Sequence, residues 1–469
     1  MGRYLWMLAG GCDVRGGVRP LWAYSRERTN AGRSPASRSI QSSGVLKSEV
    51  SHGLHRRAGA LALLALLAVL LLTASLAPSG AGAATGGAGQ TEAEGVESGP
   101  TLGNTAFDRQ GMWIWYVSHS DGGSVASILA RARRFDIGTV YVKAGDGSGI
   151  WGQFSSALVG ALHRGGLDVC AWQFVYGDHP VAEAKVGAAA VHKGADCLVI
   201  DAESDYEGKY AAADRYVRAL RARIGATFPL SLAGFPYVDY HPSFPYSVFF
   251  GPGGATYNQP QMYWKAIGTS VRQVYEHTYL FNRIWGHPIY PVGQTYEGPG
   301  SASLRLFRRF AASYGGLPPS WWDWQETSGR EWGALAALRG RRPLTGYRQV
   351  LVHPLLKRGS RGDMVVWAQE HLVSGGATNL PVTGVFGRRT YGAVRAFQAD
   401  HDLHADGQIG TETWEALLKL TPYRMRWAAR PARASRSRRG GAEATRALPP
   451  RRPLSASLPA KGYEIPPRP

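Results

Sequence analysis

Ala195-Asp196-Cys197-Leu198-Val199-Ile200-Asp201-Ala202-Glu203 carries a mostly apolar run straight into two carboxylates. Such a run predicts a strand. Residues two apart on a strand point to the same side, about 6.5–7 Å apart along the chain. Asp201 and Glu203 therefore share a face at the strand's C-terminal end. That position is costly for packing and useful for chemistry.

Outward from this strand, short apolar runs alternate with amphipathic stretches. Strands are expected at 112–117, 139–143, 168–175, 197–203, 230–235, 261–264, 289–294 and 321–325. Helical periodicity falls at 124–134, 151–164, 181–193, 210–224, 270–284, 303–314 and 331–338. The connection at 237–252 is instead rich in Pro and aromatic residues. Eight strands alternating with helices fit an α/β fold, a (β/α)8 TIM barrel over residues 109–342. An open doubly wound sheet is the alternative, but no Gly-rich fingerprint follows the first strand.

In a barrel, function gathers at the C-terminal strand ends. The first strand ends in Trp113, Trp115 and Tyr116, without an acid. The other ends offer Lys143 and Asp146, Trp172, Asp201 and Glu203, Tyr263, Gln294, and Asp323 with Gln325. Flat rings stack on sugar faces, and amides and carboxylates hydrogen-bond hydroxyls. The rim therefore has the chemistry of a glycan site. Glu203 and Asp201 are the candidate catalytic pair. The candidate substrate contacts are Lys143, Asp146, Trp113, Trp172, Tyr263, Gln294, Asp323 and Gln325. Plainer roles stand beside these: Lys143 pairs with Asp146, the two glutamines brace strand ends, and Asp323 orients a loop. The histidines are scattered and no spacing matches a zinc site, so neither a metal nor a cofactor is expected.

Val140-Tyr141-Val142-Lys143 with Asp146-Gly147, Asp201-Ala202-Glu203 and Trp324-Gln325 resemble the family-25 glycoside hydrolases, the TIM-barrel muramidases. The resemblance implies Glu203 as general acid, with Asp201 supporting charge and orientation at the reacting sugar. Two departures stand out. The family's first strand carries an Asp, and Trp113 to Val117 has none. The acid expected after the strand-eight Trp-Gln is also not evident.

Glycoside hydrolysis needs one protonated carboxyl and a second group that attacks, activates water or holds positive charge. Two carboxylates on one strand face resist joint ionisation, which raises the pKa of one of them. Glu203 then keeps its proton near neutral pH. The substrate's own N-acetyl group could attack, oriented by Asp201 or Asp323.

The formal charge of +19 sits in the flanks. Residues 1–57 carry a net +7 and residues 421–469 a net +10, which leaves +2 between them. The basicity is therefore not a nucleic-acid footprint, and both flanks read as disordered. After His55-Arg56-Arg57 an apolar run reaches Ala77, followed by Ala81-Gly82-Ala83. Residues 58–83 read as a secretory signal or an uncleaved signal anchor, with translation starting between about Val45 and Leu54. Residues 84–108 read as a flexible linker. Cys170 and Cys197 fall on adjacent predicted strands, either disulfide-bonded or as two buried thiols.

Residues 350–420 carry an internal repeat. Thr383-Gly384-Val385-Phe386-Gly387 leads to Thr390, and Asp406-Gly407-Gln408-Ile409-Gly410 leads to Thr413. Each Gly pair predicts a tight loop, and each Thr is expected to open a helix. The segment resembles the peptidoglycan-binding-like domain of cell-wall hydrolases, a small all-α three-helix unit, which implies peptidoglycan as ligand. Thr383 stands where that family has Asp, a change expected to weaken one loop slightly.

Two functions are expected from these readings. One is an exported, monomeric muramidase-like enzyme that cleaves β-1,4 glycan bonds and is held on the wall by its small domain. The other is a non-catalytic wall-binding protein with a degenerate glycan-binding barrel. Nucleic acid is not an expected partner, and membrane contact is expected only through the N-terminal segment.

Overall fold

The computed structural model describes residues 105–336 and 342–428. The leader, the apolar segment 58–83, most of the 84–108 linker and the tail beyond 428 lie outside the described residues. Among the described residues no helix is long and apolar enough to cross a membrane.

Eight parallel strands form the barrel wall: β1 (Gly111–Ile114), β2 (Thr139–Asp146), β4 (Asp168–Val175), β5 (Cys197–Ala202), β6 (Leu230–Gly234), β7 (Tyr257–Pro260), β8 (Val292–Gln294) and β9 (Ser320–Trp322). They run in the order β7-β6-β5-β4-β2-β1-β9-β8. Isolated bridges Asn258↔Ile289 and Gln261↔Val292 bring β7 against β8 and close the ring. The short strand β3 (Gly149–Ile150) is an antiparallel hairpin on the end of β2. Helices α1 (Val125–Arg134), α2 (Ser156–Arg164), α3 (Pro180–His192), α4 (Tyr210–Ile224), α5 (Tyr246–Phe250), α6 (Trp264–Ile267), α7 (Val271–Asn282), α8 (Ser301–Ser313) and α9 (Gly329–Leu335) fill the connections.

The sixth barrel strand lies earlier than the pattern predicts. It spans Tyr257–Pro260, and Trp264, expected in that strand, opens α6 instead. Tyr257-Asn258-Gln259-Pro260 looks too polar for a buried strand. Both of its amides are nevertheless buried, on opposite faces of the strand: Gln259 toward the interior beside Tyr141, and Asn258 toward the helix layer. Asn258 Nδ2 donates to Asn282 Oδ1 at 3.0 Å.

The barrel interior is a separate apolar cluster that includes Trp113, Tyr141, Cys170, Trp172, Cys197, Val199 and Tyr290. Cys170 and Cys197 are register partners on β4 and β5 and form a disulfide, with Cα atoms 4.6 Å apart. The end of the expected linker takes part in this core. Phe107 is fully buried, with its ring centroid 4.6 Å from that of Tyr257, and Thr139 Oγ1 donates to Ala106 O at 2.6 Å. The barrel therefore begins before residue 109, because Phe107 plugs its N-terminal end.

The C-terminal module has three helices, α10 (Asp363–Ser374), α11 (Arg388–Asp400) and α12 (Thr411–Leu417). One glutamine organises each repeated loop. Gln369 Oε1 accepts from Thr383 N and Gly384 N, while its Nε2 reaches Thr390 Oγ1 at 2.9 Å. Gln398 Oε1 accepts from Gly407 N, and its Nε2 reaches Thr413 Oγ1 at 3.1 Å. Thr390 and Thr413 are buried inside their helices, and Gly387 and Gly410 hold the cap positions instead. Each hydroxyl serves the loop glutamine, so it is not available to cap. Thr383 Oγ1 accepts from Val385 N at 3.3 Å, whereas Asp406 Oδ1 accepts the equivalent Gln408 N at 2.8 Å. The Thr loop thus carries the longer of the two hydrogen bonds.

The module packs on the barrel. Asp363, the first residue of α10, accepts from Ser247 N and Ser247 Oγ, each at 2.7 Å. Its own N–H donates to Pro242 O at 2.7 Å. Trp367 donates its indole N–H to Ile284 O, and its ring lies 5.6 Å from that of Trp285.

Candidate active site

The two carboxylates meet at the C-terminal end of β5. Asp201 lies in register between Phe174 on β4 and Ala233 on β6, so neighbours wall it in on both sides. Glu203 follows immediately after the strand and is half-buried. One amide joins them: Gln261 Nε2 donates to Asp201 Oδ1 at 3.0 Å and to Glu203 Oε1 at 3.3 Å. Gln261 is itself fixed by its backbone N–H, which donates to Gly234 O at 3.0 Å.

Burial and mutual repulsion act on this pair. Asp201 is pushed well above the usual carboxylate range, first by burial and then by the charge of Glu203. Burial pushes Glu203 up to about 7, against the opposing pull of the Gln261 hydrogen bond and the Lys143 charge. The pair together therefore holds a proton near neutral pH. Such a site can donate a proton to a leaving oxygen.

Lys143 and Asp146 sit beside this pair. Lys143 is almost fully buried, and its Nζ donates to Asp146 Oδ2 at 2.6 Å. Asp146 Oδ1 accepts from Tyr176 OH at 2.7 Å. The ammonium lies 4.5, 4.8 and 5.2 Å from the ring centroids of Trp151, Trp172 and Trp115. Cation–π contacts and one carboxylate thus hold a desolvated charge in place. A register shift between Lys143 and Gly145 bends β2 here, and the β3 hairpin carries the chain on toward Trp151.

The remaining expected residues fall at different depths. Trp113 is buried in the barrel interior, stacked on Tyr141, with its Nε1 donating to Ser320 Oγ at 2.9 Å. Trp172 is also buried, and its Nε1 donates to Ile114 O at 3.2 Å beneath the Lys143 ammonium. Gln294 is fully buried and accepts from Lys265 N and Ala266 N, so it holds the start of α6. Gln325 Oε1 accepts from Trp115 N at 3.3 Å, which ties β9 to the end of β1. Tyr263 is buried against Tyr296, and its hydroxyl is pushed up by burial and by the charges of Tyr296, Asp201, Glu203 and Asp323. Asp323 is buried and accepts from Glu326 N at 3.2 Å. Burial and the Glu326 charge raise Asp323 to about 7.

The structure therefore gathers Asp201, Glu203, Lys143 and Asp146 into one cluster and brings Tyr263 and Asp323 within its field. It keeps Trp113 and Gln294 below the rim. It also adds residues that the sequence reading did not select. Gln261 is the joint of the site, and its sequence signal is masked because it opens the apolar run 261–264 rather than following the polar strand Tyr257–Pro260. Trp115 and Trp151 flank the Lys143 ammonium, with Trp322 5.8 Å from Trp115 and Tyr116 5.2 Å from Trp151. Trp115 shares the inward face of Trp113 one step higher, a depth that the two-residue period does not reveal. Among the described residues no group of His, Cys, Asp or Glu side chains is arranged to hold a metal ion.

Residues 361–417 match a family model described as "Putative peptidoglycan binding domain". The match bears out the resemblance drawn from the repeated Thr/Asp-Gly loops. The chain is similar to the spore cortex-lytic enzyme of Bacillus cereus, 39% identical over 69 residues, which is 15% of this chain and 27% of the relative. The Bacillus subtilis spore cortex-lytic enzyme is 39% identical over 70 residues, 15% of this chain and 23% of that protein. The chain thus spans about a quarter of the length of the curated relatives it matches. Among solved structures, the endo-β-1,4-mannanase of Thermotoga petrophila is similar with a TM-score of 0.39 at 11% identity, covering 55% of this chain and 82% of that one. The Bacillus cereus spore cortex-lytic enzyme SleL has a TM-score of 0.37 at 10% identity, covering 51% and 76%. The barrel assignment rests on the strand order and its closing bridges, not on these scores. The family-25 resemblance finds no support in these matches.

Proposed function

We propose that this chain is an extracytoplasmic peptidoglycan-directed glycoside hydrolase, muramidase-like in reaction, whose barrel cuts a β-1,4 glycan bond. The observation that carries this reading is the Asp201–Gln261–Glu203 arrangement at the strand ends of the barrel. Glu203 is the acid. It is half-buried, so it reaches the substrate, and it holds a proton near neutral pH. Asp201 is deeper and shares that proton, so it orients the pair and supports positive charge that develops at the sugar. The Trp115, Trp151 and Tyr116 rings supply the stacking surface. The C-terminal module supports peptidoglycan as the polymer. The disulfide and the apolar 58–83 segment support action outside the cytoplasm.

A second reading has one observation in its favour. The end of β1 offers no carboxylate, so the barrel could bind glycan without cutting it. Release of soluble muropeptides from purified sacculi separates the two. Wild-type release that exceeds a Glu203→Gln control supports hydrolysis. Equal release from both, with retained co-sedimentation, leaves the binding reading.

A further inference from the structure

We propose a distal saccharide subsite on the loop after β6, built from Tyr240, Tyr237, His277 and Asp239. It takes a sugar unit of the same glycan chain, beyond those held at the carboxylates. The proposal rests on the glycan reading of the barrel.

The loop joins the two functional parts of the molecule. It leaves the barrel at Gly234, whose carbonyl accepts from the Gln261 N–H at 3.0 Å. It reaches the C-terminal module at Pro242, whose carbonyl accepts from Asp363 N at 2.7 Å.

The residues between these two points are braced, and one ring is left open. Phe235 stacks on His241 with centroids 3.5 Å apart, and His241 Nδ1 lies 2.8 Å from Glu207 Oε1. Tyr237 packs on His277 at 3.9 Å. Tyr240 touches both, 5.5 Å from Tyr237 and 5.6 Å from His277, yet it is 60% exposed. Among the described residues it is the most exposed aromatic side chain. The His277 Nε2 and Asp239 Oδ1 atoms are 2.7 Å apart beside it. A firmly held aromatic ring next to a polar pair is the chemistry that recognises a sugar. In the subsite the ring covers the apolar C–H face, and the partly exposed His277 imidazole, held by the nearly buried Asp239 carboxylate, supplies the polar contact. A loose surface tyrosine would carry no such bracing on both flanks.

The test is hydroxyl-radical footprinting of the full chain carrying Glu203→Gln, with mass-spectrometric readout. The probes are a disaccharide and an octasaccharide of alternating N-acetylglucosamine and N-acetylmuramic acid. The octasaccharide is expected to protect Tyr240 several-fold and the disaccharide not at all, while Trp151 and Tyr116 are protected by both. Tyr240→Ala in the same background is expected to weaken octasaccharide binding by about ten-fold and leave the disaccharide unchanged, and Tyr240→Trp to restore it. Unchanged oxidation of Tyr240 under saturating octasaccharide overturns the subsite while the glycan reading stands. Failure to protect Trp151 and Tyr116 with either probe overturns the glycan reading, and the subsite with it.

Discussion

Gln261 holds Asp201 and Glu203 with a single amide nitrogen, 3.0 Å from one carboxylate and 3.3 Å from the other. Its hydrogen bond favours the charged form of both acids, against the burial that raises them. Gln261→Leu removes that restraint. The expected result is a loss of about 10- to 100-fold in kcat, with the alkaline limb of the pH–rate profile displaced upward. A profile that keeps its limb while kcat falls would assign Gln261 a purely structural part.

In the proposed reaction Glu203 acts in its protonated form, and burial pushes its pKa up to about 7. Hydrolysis is therefore expected to fall as pH rises through about 7. Glu203→Gln is expected to cost about 10²- to 10⁴-fold at pH 6. The same shift affects stability. The folded pKa is above the unfolded value of about 4.3, so this group's contribution is full below about pH 4 and is lost as pH rises toward 7. Thermal melts from pH 4 to 8 should show a smaller decline for Glu203→Gln than for the wild type.

Cys170 and Cys197 cross-link two adjacent barrel strands at a sequence separation of 27 residues. The double change to Ser removes a closed loop that restricts the unfolded chain. The expected loss is about 3 kcal/mol of stability in denaturant titration, with the barrel retained. Thiol titration of the denatured wild type should yield one free thiol, from Cys12, before reduction if the leader is retained. Two further thiols without reductant would contradict the bond.

Asp363 anchors the C-terminal module through Ser247. Asp363→Ala leaves buried Ser247 donors without an acceptor, a loss of about 2–4 kcal/mol at this contact. The expected phenotype is faster proteolysis between residues 342 and 355, with the barrel itself intact. Unchanged cleavage kinetics would mean that Trp367 and its neighbours carry the docking alone.

Much of this was legible in the chain. The two-residue period placed Asp201 and Glu203 on one face, and the structure joins them through one partner. The alternation of strands and helices announced the barrel. The Thr-Gly and Asp-Gly repeats announced the small module. These features are local, because each depends on residues a few positions apart.

The tertiary structure decided the rest. Trp113 on β1 and Trp115 just beyond its end have the same parity, yet one is buried in the interior and the other stands beside the Lys143 ammonium. Height in a barrel follows from the stagger between neighbouring strands, which no single strand encodes. The polar sixth strand, and with it the place of Gln261, became recognisable only where β7 closes on β8. The barrel's N-terminal plug, Phe107, reads as linker because its partners are distant in sequence: Tyr141 on β2, Tyr257 on β7 and Tyr290 just before β8. Periodicity assigns a residue to a face of its own element. Only closure of the ring determines which faces meet, and so which side chains become a site.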